Sequence, residues 1–340
     1  MGRFGWKESG ISVRPSLLSV NPWLMLGAGL IAALAARAQQ ADIRVDVNLV
    51  RVVTTVKNPA GELVGSLSKE DFSVLDNNVP QQISVFERRT EQPLSVELLI
   101  DTSGSTAKDL KYEVDSLGRF LHALFAEGNP GDTVALFSFN YQVVKHNHFT
   151  RNAGSIERSL RTLHGEAGTS LYDAIYLASR EMEYRDGRRI MVIVTDGGDT
   201  TSTMDFHAAL QAAQLADTVI YPILVVPIPN DAGRNVGGEN ALTTLAQGTG
   251  GRVFAPTLGA ELDKAFTDLI QDLRTQYLLA FYPRGIPLTK NRFHRLDVKV
   301  RNPQLRVLAR NGYYGEAIND SGSPNGKISL SPRELKHQEP

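Results

Sequence analysis

Ser95-Val96-Glu97-Leu98-Leu99-Ile100-Asp101-Thr102-Ser103-Gly104-Ser105 decides how this chain is read. Leu98, Leu99 and Ile100 form an unbroken apolar run, the pattern of a strand buried on both faces inside a parallel sheet. Ligands of open α/β sheets bind just beyond the carboxyl ends of such strands. Asp101, Ser103 and Ser105 stand at that end, and all three offer oxygen rather than sulfur or imidazole. Hard oxygen donors suit Mg²⁺, Mn²⁺ or Ca²⁺.

Downstream, strands alternate with helices, which predicts a mostly parallel α/β sheet. Leu110, Val114, Leu117, Leu121 and Leu124 recur at helical spacing. Thr133 to Phe139 reads as a strand, with Tyr141 to Phe149 returning antiparallel beside it. Ile156, Leu160 and Leu163 mark a short helix, and Gly168-Thr169-Ser170 opens another through Leu171, Ile175 and Ala178. Ile190 to Val194 is a second wholly apolar strand, ending in Thr195-Asp196-Gly197. A helix over Phe206 to Leu215, a strand over Val219 to Val226 and a loop over Pro227 to Gly238 follow. Leu262, Phe266, Leu269, Ile270 and Leu273 form the last amphipathic helix.

The flanks read as β. Val45, Val47 and Leu49 alternate with polar residues, and the phase then shifts to Val50, Val52 and Val56, as at a bulge. Ser68 with Asp71 resembles a capped helical turn. Phe72 to Leu75 and Ile83 to Phe86 read as two strands around the Asp76-Asn77-Asn78 turn. Near the other end, Tyr277 to Tyr282 is apolar, Leu296, Val298 and Val300 alternate with charges, and Leu305 and Val307 add a short strand. Three strands are marginal as a free domain. The expected architecture is therefore a doubly wound, mostly parallel α/β sheet inserted in a small β-sandwich-like domain built from N- and C-terminal strands. The expected boundaries are 39–92 for the first β segment, 93–275 for the α/β domain and 276–315 for the second β segment. Residues 316–340, rich in Ser, Pro, Gly and charge, are expected to be disordered.

Residues 1–38 bear on the compartment. Arg3, Lys7 and Arg14 precede Trp23 to Ala36, a charge-free run of fourteen residues, and Ala36-Arg37-Ala38 supplies small residues before Gln39. This is the pattern of a secretory signal peptide. An uncleaved membrane anchor is the alternative, since Leu17 to Ala36 is twenty residues broken only by Ser19, Asn21 and Pro22. Either reading puts the rest of the chain outside the cytoplasm, in the periplasm, the cell envelope or the medium. The 340 residues are 42% hydrophobic and 21% charged, an ordinary globular composition. A net charge of -1 with no Lys/Arg-rich block argues against a nucleic-acid partner. The absence of cysteine excludes disulfides, thiolate metal sites and cysteine nucleophiles.

If the strands of Leu98 and Val192 are neighbours, Asp101 and Asp196 converge, and the helix start at Thr169 reaches the same edge. Three hydroxyls and two carboxylates suit a near-octahedral cation that keeps some of its waters. Two carboxylates balance a divalent charge, and the remaining open position favours an incoming anionic oxygen. Asp199, Asp173 and Asp132 read as caps or loop residues. His146 and His148 read as solvent-facing rather than as a transition-metal pair. Phe281, Tyr282, Tyr313 and Tyr314 read as sheet packing.

Asp101-x-Ser103-x-Ser105, Gly168-Thr169 opening a helix and Thr195-Asp196-Gly197 after an apolar strand together resemble the von Willebrand factor type A domain, over roughly Leu94 to Arg274. The resemblance implies a metal-ion-dependent adhesion site. In it Ser103, Ser105 and Thr169 bind the cation directly or nearly so, Asp101 and Asp196 bind directly or through water, and an Asp or Glu of a partner protein completes the coordination. It also implies that the last helix can shift with the state of the site. The flanks resemble the VWFA-related proteins of Acidobacteria, with a signal sequence, a Lys69-to-Phe72 turn and a terminal Gly312-Tyr313-Tyr314.

The expected function is an exported, non-enzymatic protein-binding module. One alternative is a Mg²⁺-dependent hydrolase or phosphotransferase with Asp101 as nucleophile. The haloacid-dehalogenase pattern needs a second carboxylate two residues on, where this chain has Ser103. The other alternative is a structural envelope protein with a vestigial site.

Overall fold

The computed structural model describes residues 49–88, 92–106, 110–126, 128–225, 235–257, 259–286 and 292–315, all within one unit that begins at Val47. The expected signal peptide or anchor over residues 1–38, the Val45 start of the first strand, residues 227–234 of the long loop and the tail expected to be disordered over residues 316–340 lie outside the described residues. No helix among the described residues is long and apolar enough to cross a membrane.

In chain order, β1 (Val50–Lys57), β2 (Phe72–Asp76), β3 (Val79–Gln81) and β4 (Ile83–Arg88) precede the α/β unit. That unit contains β5 (Leu94–Asp101), α1 (Leu110–Ala126), β6 (Thr133–Phe139), β7 (Val143–Thr150), α2 (Ala153–Leu160) and α3 (Leu171–Met182). It continues through β8 (Arg188–Thr195), α4 (Phe206–Leu215), β9 (Thr218–Leu224), α5 (Val236–Thr249) and α6 (Ala260–Thr275). Then β10 (Tyr277–Phe281), β11 (Phe293–Val300), β12 (Arg306–Ala309) and β13 (Gly312–Tyr314) return to β structure.

The central sheet has the order β7-β6-β5-β8-β9. β5 runs parallel to β6 and to β8, β9 runs parallel to β8, and β7 alone is antiparallel. β5 is buried along its whole length because helices cover both faces of the sheet. Leu94, Val96, Leu98 and Ile100 pack with Leu117 and Leu121 of α1 and with Phe266 and Leu269 of α6. Leu99 faces the other way, into a core with Ile175 and Ala178 of α3 and Leu242 and Leu245 of α5. The α/β expectation and the doubly wound arrangement are what the structure shows.

Strands from both ends of the chain build two four-stranded sheets, β12-β1-β10-β4 and β13-β11-β2-β3. Val52, Val74, Leu279, Phe281 and Leu296 fill the space between them. Asp76 is buried there and accepts a hydrogen bond from the Tyr313 hydroxyl at 2.6 Å. Gln276 joins α6 to β10 and is fully buried. Its amide donates to Thr55 Oγ1 of β1 at 3.0 Å and contacts the Tyr221 hydroxyl of β9 at 2.6 Å, and its Oε1 accepts from Arg188. Asp272, one turn earlier, binds Arg252 at 2.5 Å and Lys57 of β1 at 3.2 Å.

Four expectations are corrected. Phe72–Asp76 turns into Val79–Gln81, not into Ile83 to Phe86: Asn77 and Asn78 both have positive φ, the geometry of a two-residue hairpin turn. The chain then changes sheets at Gln82, and β4 pairs with β10. The loop expected over Pro227 to Gly238 gives way at Val236 to α5, which the glycines at 237, 238 and 248 disguise. Burial of Leu242, Leu245 and Ala246 against the sheet outweighs the weak helix propensity of those glycines. His146 is half-buried and bonded through Nε2 to Ser138 Oγ at 2.7 Å, whereas His148 is exposed. Phe281 and Tyr313 are core residues as expected, while Tyr282 is exposed.

Glu97 is a cost inside this core. It is fully buried in β5, and neither carboxyl oxygen has a hydrogen-bond partner among the described residues. Burial pushes its carboxyl well above the usual range and the charge of Glu181 adds to this, against the opposing pull of Lys145 and Arg185. A carboxyl whose folded pKa is raised supports the fold fully below its unfolded pKa and loses that support as pH rises toward the folded value. Glu97→Gln is therefore expected to remove a slope of up to about 1.4 kcal/mol per pH unit. Urea denaturation of both proteins at a series of pH values from the ordinary carboxylate range upward measures it. Equal or greater stability of the variant, growing with pH, is the expected result, and parallel profiles would contradict it.

Candidate metal centre

The carboxyl end of β5 lies at the middle of the sheet, flanked by the ends of β6 and β8. Ile100 is in register with Val194, so Asp101 and Thr195 end their strands side by side. Asp101 is fully buried. Its Oδ1 accepts from the Ser103 backbone N–H at 2.8 Å, and its Oδ2 accepts from the Thr195 hydroxyl at 2.6 Å. Thr195 Oγ1 in turn accepts from the Gly197 N–H at 3.1 Å. These bonds favour the ionised carboxylate, but burial and the neighbouring charge of Asp196 work against it. Burial is the largest effect, and the carboxyl is pushed up to about 6.

The turn after Asp101 is held by Thr106, whose hydroxyl donates at 3.0 Å to the carbonyls of Asp101 and Ser103. Within it the Ser103 and Ser105 hydroxyls lie 3.0 Å apart, Ser103 buried and Ser105 exposed. Both hydroxyls belong to one polar spot beside the Asp101 carboxylate.

Thr169 arrives on a separate connection. Glu166 N–H donates to Thr102 O at 2.9 Å, and Ser170 N–H donates to Asn140 O at 2.6 Å, so residues 166–170 lie against the ends of β5 and β6. The Thr169 N–H donates to Thr200 Oγ1 at 3.0 Å, and its carbonyl accepts from Thr200 N–H at 2.8 Å, which ties it to the loop that begins with Asp196. Gly168 has φ +84°, and a Cβ there would stand 2.9 Å from Tyr141 Cβ. Glycine at 168 thus lets two loops approach closely. Thr169 is 6% exposed, yet its hydroxyl makes no hydrogen bond among the described residues.

The five expected residues therefore come from three loops at one sheet edge. Asp101 and Asp196 are close enough for each charge to bear on the other, and among the described residues no lysine or arginine pairs with either. No three His, Cys, Asp or Glu side chains converge among the described residues. The donor set is thus hydroxyl and carboxylate oxygen, the chemistry of a hard cation rather than of zinc or copper. Two carboxylates with no basic partner among the described residues, and a threonine hydroxyl at the same sheet edge, fit such an ion.

Asp199, Asp173 and Asp132 are occupied elsewhere. Asp199 accepts from Tyr172 N–H and Ser202 Oγ, and Asp173 accepts from the N–H groups of Thr203 and Met204. Asp132 binds the Leu94 N–H and Arg274. Sequence reasoning did not assign roles to Thr195 and Thr106, which orient the Asp101 carboxylate and its turn. A hydroxyl at the last position of an apolar strand was the available signal for Thr195.

Residues 96–198 match the family model of the von Willebrand factor type A domain. No curated protein matches the chain. Among solved structures, the vWF domain of the type V pili tip protein Mfa5 from Porphyromonas gingivalis is 17% identical, with 53% of this chain and 94% of that one covered and a TM-score of 0.44. BatB from Bacteroides thetaiotaomicron is 19% identical over 53% and 97%, with a TM-score of 0.42. The PilB minor pilin from Streptococcus sanguinis is 13% identical over 54% and 62%, with a TM-score of 0.43. With the match over residues 96–198, the chain carries a von Willebrand factor type A domain.

Proposed function

We propose that this protein is an exported, cation-dependent protein-binding module. Asp101, Ser103, Ser105, Thr169 and Asp196 would hold Mg²⁺, or Mn²⁺ or Ca²⁺ in its place, and an Asp or Glu of a partner protein would bind beside them. The observation that carries this reading is a pair of neighbouring carboxylates, one of them buried, with no basic partner among the described residues and with three hydroxyls from two loops at the same sheet edge. A bound divalent ion supplies the missing positive charge and an attachment point for an anionic oxygen.

The chain's own residues do the rest. Thr195 and the Ser103 N–H fix the orientation of the Asp101 carboxylate. Thr106 holds the turn that presents the two serines. Tyr141 stands at the rim, its backbone pinned by Ala167 O and Ser170 Oγ while its side chain is 52% exposed. An aromatic ring in that position offers apolar contact beside the partner's carboxylate. Export rests on the basic start and apolar run within residues 1–38.

The test is a thermal melt with and without Mg²⁺, followed by capture of partners from the envelope fraction in Mg²⁺ or EDTA. An ion bound only by the native state, at one hundred times its Kd, adds about 2.7 kcal/mol of stability. A saturable rise in Tm and a captured protein lost in EDTA are expected. Capture that is indifferent to EDTA, or a Tm indifferent to every divalent cation, would sink the proposal.

A further inference from the structure

The loops of the candidate cation site are tied together by groups other than the five oxygen donors, and Asn140, the first residue after β6, touches both sides of that tie. Its Nδ2 donates to Thr102 Oγ1 at 3.2 Å, in the turn that carries Ser103 and Ser105. Its backbone carbonyl accepts the Ser170 N–H at 2.6 Å, one residue beyond Thr169. Its Oδ1 accepts the Gln142 N–H at 2.9 Å, and its own N–H donates to Gln142 O at 3.0 Å, which closes the turn after β6.

The remaining bonds run between the same loops. Thr102 is 1% exposed, its N–H donates to Phe139 O at 2.8 Å, and its carbonyl accepts the Glu166 N–H at 2.9 Å. Ser103 and Glu166 form a parallel bridge. Ser170 Oγ donates to Tyr141 O at 3.2 Å, and the Tyr141 N–H donates to Ala167 O at 3.3 Å. All of these bonds leave the hydroxyls of Ser103, Ser105 and Thr169 and the carboxylates of Asp101 and Asp196 to the ion.

A bracket of neutral hydrogen bonds thus fixes where the Thr169 connection stands relative to the serine turn, and so the space between them. Mg²⁺ demands near-octahedral geometry at about 2.0–2.1 Å, whereas Ca²⁺ takes roughly six to eight oxygens at about 2.3–2.6 Å in a flexible shell. Cavity size, ligand number and flexibility separate the two ions. Building on the cation-binding reading of the site, we propose that Asn140 is a positioning residue: it holds the Thr169 connection against the serine turn and thereby makes the site select Mg²⁺ over Ca²⁺. Few donors in a fixed frame suit the small ion, and the larger one needs the frame to open. Without the Asn140 amide, Thr102 and Gln142 both lose a partner and the frame loosens.

Isothermal titration of the whole protein with MgCl₂, and separately with CaCl₂, tests this with no partner present. Wild type is expected to bind Mg²⁺ more tightly than Ca²⁺. Asn140→Ala is expected to lose about ten-fold in Mg²⁺ affinity, the lower end of what groups that orient metal ligands contribute, and little in Ca²⁺ affinity. Thr102→Val removes the hydroxyl at the other end of the bond and should lower the Mg²⁺-to-Ca²⁺ affinity ratio alike, while Thr102→Ser should keep it. The double variant Asn140→Ala/Thr102→Val should fall no further than either single one, because both remove one interaction. A melt in EDTA establishes that each variant is folded, and the two Thr102 variants carry the comparison if Asn140→Ala is not. General loosening would weaken both ions alike. An unchanged ratio in folded Asn140→Ala, or Thr102→Ser behaving as Thr102→Val, would therefore overturn the proposal and leave the cation site standing. Wild type that binds Ca²⁺ as tightly as Mg²⁺ would do the same. Wild type that binds neither ion would overturn the cation-binding reading and the role of Asn140 with it.

Discussion

Asp101→Asn is expected to abolish cation-dependent partner binding, by about 100-fold or more, while the fold persists. Losing a group that orients metal ligands alone costs up to about 100-fold in affinity. The asparagine keeps both local bonds: its amide oxygen accepts from the Ser103 N–H, and its NH₂ donates to Thr195 Oγ1. What changes is the charge. The native carboxyl is pushed up to about 6, first by burial. Because that lies above the unfolded value, metal-free wild type loses stability as pH rises through about 6. The variant escapes this loss, so in chelator above pH 7 it should melt at or above the wild-type temperature. Added Mg²⁺ should then raise the Tm of wild type alone. A variant that still responds to Mg²⁺ and still captures its partner would remove Asp101 from the site.

Asp132→Ala is expected to be among the most destabilising substitutions away from the site, costing about 3–5 kcal/mol. Asp132 is fully buried and serves two partners, the Leu94 N–H at 2.7 Å and Arg274 at 2.7 Å. It thereby ties the start of β5 to the last turn of α6, the helix that leads through Gln276 into the sandwich. Alanine leaves the N–H unpaired and the mostly buried guanidinium without its acid. Asp132→Asn can keep the Leu94 bond and should recover part of the loss. Urea denaturation of the three proteins measures this, and an alanine variant within about 0.5 kcal/mol of wild type, the range of ordinary surface changes, would refute it.

Much of the architecture was legible from periodicity. Leu98 to Ile100 and Ile190 to Val194 are apolar on successive residues, the pattern of a strand covered on both faces, and they are neighbours in the sheet. α1, α3 and α6 announced themselves by leucines at helical spacing. α5 did not, because its glycines and threonines carry little helical signal and its burial comes from packing on β9 and α4. The β3–β4 change of sheet was equally hidden, since Val79 to Phe86 reads locally as continuous β.

By itself the sequence determined the class of the sheet, the return of the chain to β structure at both ends, and the oxygen chemistry of Asp101, Ser103, Ser105, Thr169 and Asp196. These depend on side-chain type and on spacing along one strand or helix, which are local properties. The tertiary structure alone decided that Thr195 orients Asp101 and that Asp132 joins β5 to α6. Those groups stand 94 and 142 residues apart. Their meeting is set by strand order and register, because a hydrogen bond depends on ångström distances between side chains that no sequence pattern specifies.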